Sequence, residues 1–323
     1  MPADSLTFRA LDIETGADLN AVLPLFVPDP ASPLAADGYL TMTERGEYRP
    51  DRTWLAVDDA SGAVQAAAVW WTAPGQSEPR ALDAVCVHES VAGEARIDLA
   101  AELLRAAHAA FATKKPPEYH VFVPGDWREQ PDCVEALSWR MEAANRAGLT
   151  ETLERLRYEW TPDAGLPEPS ARLTFHPEPD DEVFVAILAQ VLSGSLDQSS
   201  VAEAAQVGAE PQARSDMEFY RDKMLGERAW WRVAKDAAGT TVGFGFPSRN
   251  PTTHVVGYLG VLPEHRGRGY IDDILAEITR HLAIEAGATL IRADTDLLNV
   301  PMAAAFERGG YRNFARRLVL SAP

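Results

Sequence analysis

Two arginines and two glycines occupy four consecutive positions, Arg266-Gly-Arg-Gly269. An apolar, strand-like run over residues 254–262 precedes them, and a helical apolar pattern follows from residue 269 to about 286. Free N–H groups in the first turn of a helix attract phosphate, and glycines let the anion approach the main chain. Arginines add charge-assisted hydrogen bonds. The segment therefore predicts a phosphate or pyrophosphate site.

Other phosphate-binding loops have requirements that this segment does not meet. A dinucleotide-binding fingerprint needs a third glycine at position 272, where the chain has Asp272, and a Walker loop needs Gly-Lys-Ser/Thr. Gly267 and Gly269 could instead be simple turn residues. The strand, the two arginines and the helix around them favour the anion site.

The segment resembles motif A of the GNAT superfamily of acyl-CoA-dependent N-acyltransferases, Gln/Arg-x-x-Gly-x-Gly/Ala. Here the motif is Arg266-Gly-Arg-Gly-Tyr-Ile271. Two later runs, residues 294–302 with Asn299 and residues 305–311 (Ala-Phe-Glu-Arg-Gly-Gly-Tyr), are similar to the downstream motif of the family. This full signature covers about residues 172–323.

The resemblance implies a role for each part of the signature. The strand at 254–262 should splay from the strand at 290–293 and open a slot for the pantetheine arm of acetyl-CoA. The main chain of Leu259 and Val261 should pair with pantetheine, and the Val261 N–H should face the thioester carbonyl oxygen. Asn299 should contact pantetheine or the attacking amine. The residues expected to hold the pyrophosphate are Arg266, Gly267, Arg268, Gly269 and Tyr270.

Two residues depart from the family pattern. Ile271 stands where Gly or Ala is usual, and its membership in the apolar stripe of the helix predicts that it points into the core. Phe306 stands where many relatives carry a tyrosine that protonates the departing thiolate. Phenylalanine has no proton to donate, so water or another residue would have to perform that step.

An amine must lose a proton before it attacks, so a general base is expected. His254 and Asp296 are the candidates, with Asp294 beside the second. Each has a simpler interpretation, since His254 could be a packing residue and the aspartates could cap the helix that begins near residue 300. Asp197, in a loop between two predicted helices, could line the acceptor site or be an ordinary exposed carboxylate.

The elements that position these residues occur twice in the chain. Residues 54–62 resemble residues 231–239, residues 87–98 match residues 261–272 without a gap, and residues 143–149 parallel residues 305–311. In the first copy Ala92 and Glu94 replace the two arginines, and a carboxylate repels a pyrophosphate. The first copy is therefore expected to keep the fold without holding acetyl-CoA in the usual way.

A segment with three prolines and a glycine, residues 161–171, separates the two copies and predicts a stiff linker. The predicted domains are residues 1–160, a degenerate GNAT-like domain, and residues 172–323, the acetyl-CoA-binding domain. The fold class is α/β (α+β), with two tandem GNAT-like domains, each a mixed, mostly antiparallel splayed sheet flanked by helices. The second domain is expected in the order β-α-α-β-β-β-α-β-α-β.

Composition limits the functional classes. A net charge of −18 argues against a nucleic-acid partner, because phosphate backbones need a basic surface. Two cysteines, Cys86 and Cys133, offer neither a disulfide framework nor a four-thiolate zinc site. No membrane partner and no metal are expected. Without an apolar span or a signal-like N-terminus, the expected location is the cytoplasm.

The sequence thus predicts an N-acetyltransferase that moves an acetyl group from acetyl-CoA to the amine of a small molecule or peptide. A non-catalytic acyl-CoA-binding protein and an acyltransferase with a thiol or hydroxyl acceptor are the alternatives. The identity of the acceptor and the oligomeric state are not encoded in any motif.

Overall fold

A computed structural model of the chain describes residues 6–12, 14 and 16–323. Its contacts divide the chain into two compact units. Unit 1 comprises residues 1–154 and 315–323, and unit 2 comprises residues 155–314.

Unit 1 is an α/β unit whose sheet has the strand order β1-β2-β3-β4-β5-β12. Only β4 and β5 are parallel neighbours, and the other neighbours are antiparallel. Its helices cover both faces of the sheet. The elements are β1 (Leu6–Ala10), α1 (Ala17–Val22), α2 (Ala36–Glu44), β2 (Tyr48–Asp58), β3 (Val64–Trp71), β4 (Ala81–Val87), α3 (Gly93–Phe111), β5 (Glu118–Pro124), α4 (Pro131–Arg146) and β12 (Arg312–Ser321).

Unit 2 repeats this arrangement with the strand order β6-β11-β10-β9-β8-β7. Its one parallel pair is β10 with β11. The elements are β6 (Glu151–Trp160), β7 (Thr174–His176), α5 (Asp181–Leu192), α6 (Gln198–Val207), α7 (Ala209–Asp222), β8 (Arg232–Lys235), β9 (Thr241–Arg249), β10 (His254–Val261), α8 (Tyr270–Ile284), β11 (Ile291–Asp296) and α9 (Val300–Arg308). The predicted class of mixed, mostly antiparallel sheets flanked by helices is confirmed.

Local sequence explains where the helices of unit 2 begin. The Asp180 side chain accepts a hydrogen bond from the Glu182 N–H and caps α5, and Asp197 caps α6 through the Ser200 N–H. Helix α8 begins after Gly269, whose φ of 73° lies in the left-handed region. Its apolar stripe, predicted from the spacing, is buried at Ile274, Leu275, Ile278 and Leu282.

Three helices, not the predicted two, connect β7 to β8. Helix α6 lacked a clear signal because it buries none of its residues, so its sequence has no apolar stripe. Helix α7 begins at Ala209, seven positions before the predicted start at Asp216. Gly208, with a φ of 98°, separates α6 from α7.

The division into units differs from the predicted domains at both boundaries. Strand β6 pairs with β11, so residues 155–160 belong to unit 2, and β12 pairs with β5, so residues 315–323 belong to unit 1. The predicted linker packs within unit 2, because Arg280 donates to the Pro167 carbonyl and Ser170 to the Asp273 carboxylate. A repeat in the sequence locates strands, but it does not show which sheet receives a terminal strand.

Both units contain the same β-bulge. In β10 the pairing with β9 shifts between Val256 and Tyr258, which leaves Gly257 as the extra residue. In β4 the pairing with β3 shifts so that Trp70 faces Leu82 and Val69 faces Ala84, and Asp83 is the extra residue. Residues 83 and 257 are 174 positions apart, the same offset as the aligned turns at 87 and 261. The bulge is therefore part of the repeated architecture.

Across the described residues, no helix has both the length and the apolar character needed to cross a membrane.

Candidate functional site

A splayed pair of strands forms the centre of the candidate site in unit 2. Strands β10 and β11 pair only through His254 with Ile291 and Val255 with Arg292, and this early parting agrees with the splay that the family resemblance implied. On its other side, β10 pairs with β9 as far as Val261. The edge of β10 beyond Val255 therefore faces an opening instead of a neighbouring strand.

The main-chain groups on this open edge belong to Leu259 and Val261. The Leu262 N–H donates to the Val242 carbonyl oxygen of β9. Because N–H groups of successive residues point to opposite edges of a strand, the N–H groups of Leu259 and Val261 point toward β11. The expected pair of main-chain positions thus lies on the free edge.

A glycine turn continues from this edge into α8. Gly267 and Gly269 have φ angles of 75° and 73°, a conformation that side chains disfavour. Within the described hydrogen bonds, the N–H groups of Gly267, Arg268 and Gly269 have no main-chain acceptor. Helix α8 starts at Tyr270, so its dipole also favours an anion at this turn.

Two carboxylates in the first turn of α8 are neutralised by arginines. Asp272 forms an ion pair with Arg308 at 2.7 Å, and Asp273 is paired with Arg172. Arg172 also donates to the carbonyl oxygens of Arg268 and Gly269. These pairs remove the repulsion that Asp272 and Asp273 would otherwise exert on a phosphate, and they brace the turn.

The two arginines of the motif have different environments. Arg266 donates to main-chain carbonyl oxygens at the end of α5 and in β10, so its guanidinium is engaged within the protein. The phosphate contact expected for the Arg266 side chain does not follow from this geometry. Arg268 is exposed and makes one long hydrogen bond, of 3.3 Å, to the Glu264 carbonyl. Arg268 is therefore the motif arginine best placed to reach an anion.

The neighbouring aromatic and aliphatic residues pack on the core. Ile271 packs against the buried cluster of α8, which agrees with its predicted direction. Tyr270 also contacts this cluster, and the guanidinium of Arg172 lies 5.2 Å from its ring centroid. The Tyr270 side chain is therefore engaged by the core and by Arg172. Its main-chain N–H is the group that lies at the helix start, where an anion would bind.

Asn299 and Phe306 have mainly structural contacts. The Asn299 side chain accepts from the Met302 N–H at 3.4 Å and caps α9. Phe306 is only 1% exposed, and its ring stacks on Tyr158 at 5.0 Å and lies 5.3 Å from the ring of Tyr311. A contact between Asn299 and an arriving ligand would use the side-chain Nδ2 group, for which the described residues provide no hydrogen bond.

The two predicted bases are not at the open edge. His254 lies in the first paired position of β10, about 16 Å along the strand from Leu259 at about 3.3 Å per residue. Burial lowers its pKa, and the charge of Arg249 lowers it further. Asp296 is buried and forms an ion pair of 2.8 Å with Arg155, while its other oxygen accepts from the Gln198 N–H. Burial raises the pKa of Asp296, but no surface of its side chain is exposed.

The remaining aspartates named by the sequence are also paired. Asp197 accepts from Arg155 at 3.0 Å in addition to capping α6. Asp294 lies 3.3 Å from Arg157. The helix that begins at Val300, for which Asp294 and Asp296 were the suggested caps, is capped by the Asn299 side chain.

A half-buried carboxylate that the sequence analysis did not name, Asp216, lies on α7. Burial raises the pKa of Asp216 to about 6, and the charges of Glu203 and Asp197 raise it further. One oxygen accepts from the Gln212 side chain at 2.9 Å, and the other is buried without a hydrogen-bond partner in the described structure. Nothing in the sequence distinguishes this aspartate from other helical aspartates.

Two tyrosines at or near the bulge of β10 are influenced by the charge of Asp216. Tyr220, one turn along α7, donates to the Gly257 carbonyl at 2.7 Å. Burial raises the pKa of Tyr258, and the charges of Asp197 and Asp216 raise it further. Tyr258 directly precedes Leu259, so the charge of Asp216 acts close to the strand segment that has the free edge. A raised carboxylate pKa in such a position is typical of a general base.

The corresponding turn of unit 1 lacks the features of an anion site. Ala92 replaces Arg266, and the Glu94 carboxylate lies in the first turn of α3. Glu94, Asp98 and Glu142 share one cation, Arg146. Negative charge is thus in excess there, whereas carboxylates and arginines are matched at the start of α8.

A cavity of about 270 Å³ lies elsewhere in unit 2. It is formed between α8 and α9, where Leu275, Thr279 and Gly309 are among the lining residues. The lining includes no residue of β10, so this cavity is separate from the open edge.

Comparison with known proteins agrees with the second unit's geometry. Residues 199–311 match the family model described as the Acetyltransferase (GNAT) family. Comparison of the sequence with curated proteins gives no match.

Solved structures share the fold over nearly the whole chain. A GCN5-related N-acetyltransferase from Sphaerobacter thermophilus has a TM-score of 0.58 and 15% identity, over 98% of this chain and 94% of that one. The glucosamine N-acetyltransferase region of a fungal multi-domain GH3 β-N-acetylglucosaminidase has a TM-score of 0.55 and 15% identity, over 98% of this chain and 38% of that one. A tandem GNAT protein from the clavulanic acid biosynthesis pathway has a TM-score of 0.49 and 17% identity, with 99% of both chains covered. At these identities the first two likenesses indicate a shared fold.

Proposed function

We propose that this protein, whose residues 199–311 match the GNAT acetyltransferase family model, transfers an acetyl group from acetyl-CoA to the amine of a small molecule or peptide. The observation that carries the proposal is the free edge of β10 that continues into the glycine turn before α8. Such an arrangement offers main-chain donors to an extended amide chain and to a pyrophosphate in succession.

Acetyl-CoA would be held in unit 2. Its pyrophosphate would accept from the N–H groups of Gly267, Arg268 and Gly269 and from the Arg268 guanidinium. The main chain of Leu259 and Val261 would pair with pantetheine, and the Asn299 amide would contact the same arm. The ion pairs of Asp272 and Asp273 support this assignment, since neither carboxylate then leaves an uncompensated negative charge beside the turn.

Leu259 is the better candidate to face the thioester carbonyl, instead of Val261. Val261 lies nearest the phosphate turn, and its carbonyl accepts from the Arg266 Nε. Leu259 lies two residues closer to Val255, where β10 and β11 meet and the opening is narrowest. An N–H at this position would stabilise the negative charge that develops on the carbonyl oxygen as the amine attacks.

We assign Asp216 as the general base that accepts the proton of the amine. Acetyl transfer forms a C–N bond and breaks the C–S bond, and the attacking ammonium must first lose a proton. With a pKa of about 6, Asp216 is ionised at neutral pH and still basic enough to accept that proton. Its unpartnered oxygen, Oδ2, is buried in the free protein, so this assignment requires the Asp216 side chain to become accessible when the amine binds.

Two other functions are compatible with the fold. The buried Phe306, in place of a proton-donating tyrosine, favours a non-catalytic acyl-CoA-binding protein. An acyltransferase with a thiol or hydroxyl acceptor would use the same edge and turn. This second alternative differs from the proposal in its acceptor, which is a thiol or a hydroxyl group instead of an amine.

The test is release of free CoA thiol from acetyl-CoA in the presence of an amine panel, with the matching alcohols and thiols as controls. We expect release with at least one amine and calorimetric binding of one CoA per chain. CoA binding without release under any acceptor would support the binding protein. Release with alcohols or thiols alone would support the other acceptor class, and absence of CoA binding would refute all three.

A further inference from the structure

Unit 1 keeps the splayed strands even though its phosphate turn is lost. Strands β4 and β5 pair only through Ala81 with Glu118 and Leu82 with Tyr119. Asp83 and His120 occupy the next position, at the point where the strands part. In unit 2 the corresponding bulge residue, Gly257, has no side chain, whereas Asp83 places a carboxylate there.

A cavity of about 310 Å³ adjoins this point. Its apolar wall includes Leu34, Met42 and Phe122, and its polar groups are Tyr48, Asp83 and His120. The volume lies within the range of small-molecule sites, which are mostly apolar with a few placed polar groups. The cavity is formed entirely by unit 1.

The Asp83 carboxylate is the main polar group of the cavity. Its Oδ2 accepts from the Tyr48 hydroxyl at 3.0 Å, which fixes the direction of the carboxyl group. Burial raises the pKa of Asp83 to about 6. At neutral pH the Asp83 carboxylate is therefore ionised in an apolar surrounding, which is unfavourable for the free protein.

Asp83 is the acidic residue of the lining. Glu47, which precedes Tyr48 outside the lining, raises the pKa of Asp83, whereas the charge of His120 lowers it. His120 is half-buried, with its Nε2 2.8 Å from the Glu118 carboxylate. Among the described residues, no lysine or arginine lines the cavity. A cationic ligand would compensate Asp83, whereas an anion would meet Asp83 and Glu47 without a permanent positive charge.

We propose that this cavity binds a small organic ammonium ion with a short apolar body, through an ion pair with Asp83. The hydrogen bond from Tyr48 orients the carboxylate, and the apolar wall accepts the body of the ligand. The site is distinct from the acyl-CoA site of unit 2, and it does not depend on acyl transfer. Unit 1 would thus be a ligand-binding unit built on the same splayed sheet.

The experiment uses the full chain without acetyl-CoA. Binding of butylammonium and benzylammonium is measured by calorimetry at pH 8, with benzyl alcohol and benzoate as uncharged and anionic counterparts. We expect saturable binding of an ammonium ion and at least 10-fold weaker binding of the alcohol and the benzoate, since a charge-assisted contact is lost. Lowering the pH from 8 to 5 should weaken ammonium binding, because protonation of Asp83 removes its charge.

Two variants locate the site. Asp83→Asn keeps the shape and should weaken benzylammonium binding at least 10-fold. Gly38→Leu adds a side chain at the wall of the cavity, where a Cβ meets nothing within 4 Å, and should weaken binding without straining α2. Asp37→Asn, at the adjacent position outside the lining, is the control and should bind as wild type.

The proposal is overturned if neither ammonium ion binds, or if the alcohol binds as well as the ammonium. It is also overturned if Gly38→Leu, folded by circular dichroism, retains wild-type affinity. Should Asp83→Asn fail to fold, Gly38→Leu and the alcohol comparison still decide the question. None of these results depends on the acyltransferase assay.

Discussion

Arg266 donates a hydrogen bond of 2.7 Å from its Nη2 to the carbonyl oxygen of Val191, at the end of α5. The same guanidinium donates to the carbonyls of Ser193 and Gly194 and, through Nε, to Val261. A Cβ on Gly194 would lie 3.1 Å from Nη1, so the loop fits closely around the arginine. Arg266 thus ties the phosphate turn to the helix in front of the slot.

Arg266→Ala should therefore act mainly on stability. Four carbonyl oxygens would lose a charged donor, and we expect the free energy of unfolding to fall by about 2–3 kcal/mol. Arg266→Lys should recover little, because one ammonium group cannot reproduce the planar fork. Urea denaturation followed by tryptophan fluorescence measures the change. Wild-type stability in Arg266→Ala would show that these bonds contribute nothing in solution.

Arg268→Ala is the matched variant with the opposite expectation. Its side chain is exposed and makes one long hydrogen bond, so the free energy of unfolding should change by less than about 0.5 kcal/mol. Acetyl-CoA affinity should fall about 10-fold, because one charge-assisted phosphate contact is lost. Calorimetry with wild type and Arg268→Ala checks this. Dephospho-CoA serves as a second ligand, and an equal loss for it would indicate the pyrophosphate as the contact.

The contrast between the two arginines shows what a motif encodes. The spacing of Arg266, Gly267 and Gly269 predicted the turn correctly, because positive φ angles and a helix start follow from local sequence. The destination of the Arg266 guanidinium depends on where α5 ends, 70 residues or more earlier in the chain. A long-range contact of this kind leaves no periodic signal.

The same distinction applies to the fold. The order and type of most strands followed from apolar patterns. The splay of β10 from β11 followed from the family resemblance instead. Helix α6 was missed because it lacks a buried face, and the placement of β12 beside β5 could not be read from the repeat. Asp216, the base proposed above, was not named from the sequence because its raised pKa arises from burial in the folded protein.

Asp216 should determine the pH dependence of acyl transfer. A general base must be ionised, so kcat/KM should rise with pH through about 6, the pKa of Asp216, as its proton is lost. Asp216→Asn should lower kcat by about 10²-fold or more and remove this acid limb, with acetyl-CoA affinity unchanged. The measurement is a pH–rate profile with an amine that remains protonated over the range.

Two control variants accompany Asp216→Asn. Asp222→Asn changes an exposed aspartate on the same helix that is paired with Arg221, and it should leave the profile unchanged. His254→Asn tests the base that the sequence suggested, and its distance from Leu259 predicts less than a twofold effect on kcat. Loss of activity in His254→Asn with a normal profile in Asp216→Asn would exchange the two assignments.

Phe306→Tyr tests whether a tyrosine hydroxyl at this position can act as the missing proton donor. Phe306 is 1% exposed between Tyr158 and Tyr311, and the Tyr311 hydroxyl is already bonded to Thr279 at 2.7 Å. A new hydroxyl in this packed cluster needs both space and a partner. We expect the free energy of unfolding to fall by about 1–3 kcal/mol, with turnover raised by less than twofold.

The measurements for Phe306→Tyr are urea denaturation and the rate of CoA release, with Phe219→Tyr as the control because Phe219 is half-exposed. The control should match wild type in both. A clear rise in turnover at wild-type stability would contradict the expectation, because it would mean that the para position of the ring reaches the acyl-CoA sulfur. Loss of both CoA binding and stability would instead show that the packing of α9 supports the slot. The Phe306 ring stacks on Tyr158 of β6, and β6 pairs with β11, so such a loss would reach the slot through the sheet of unit 2.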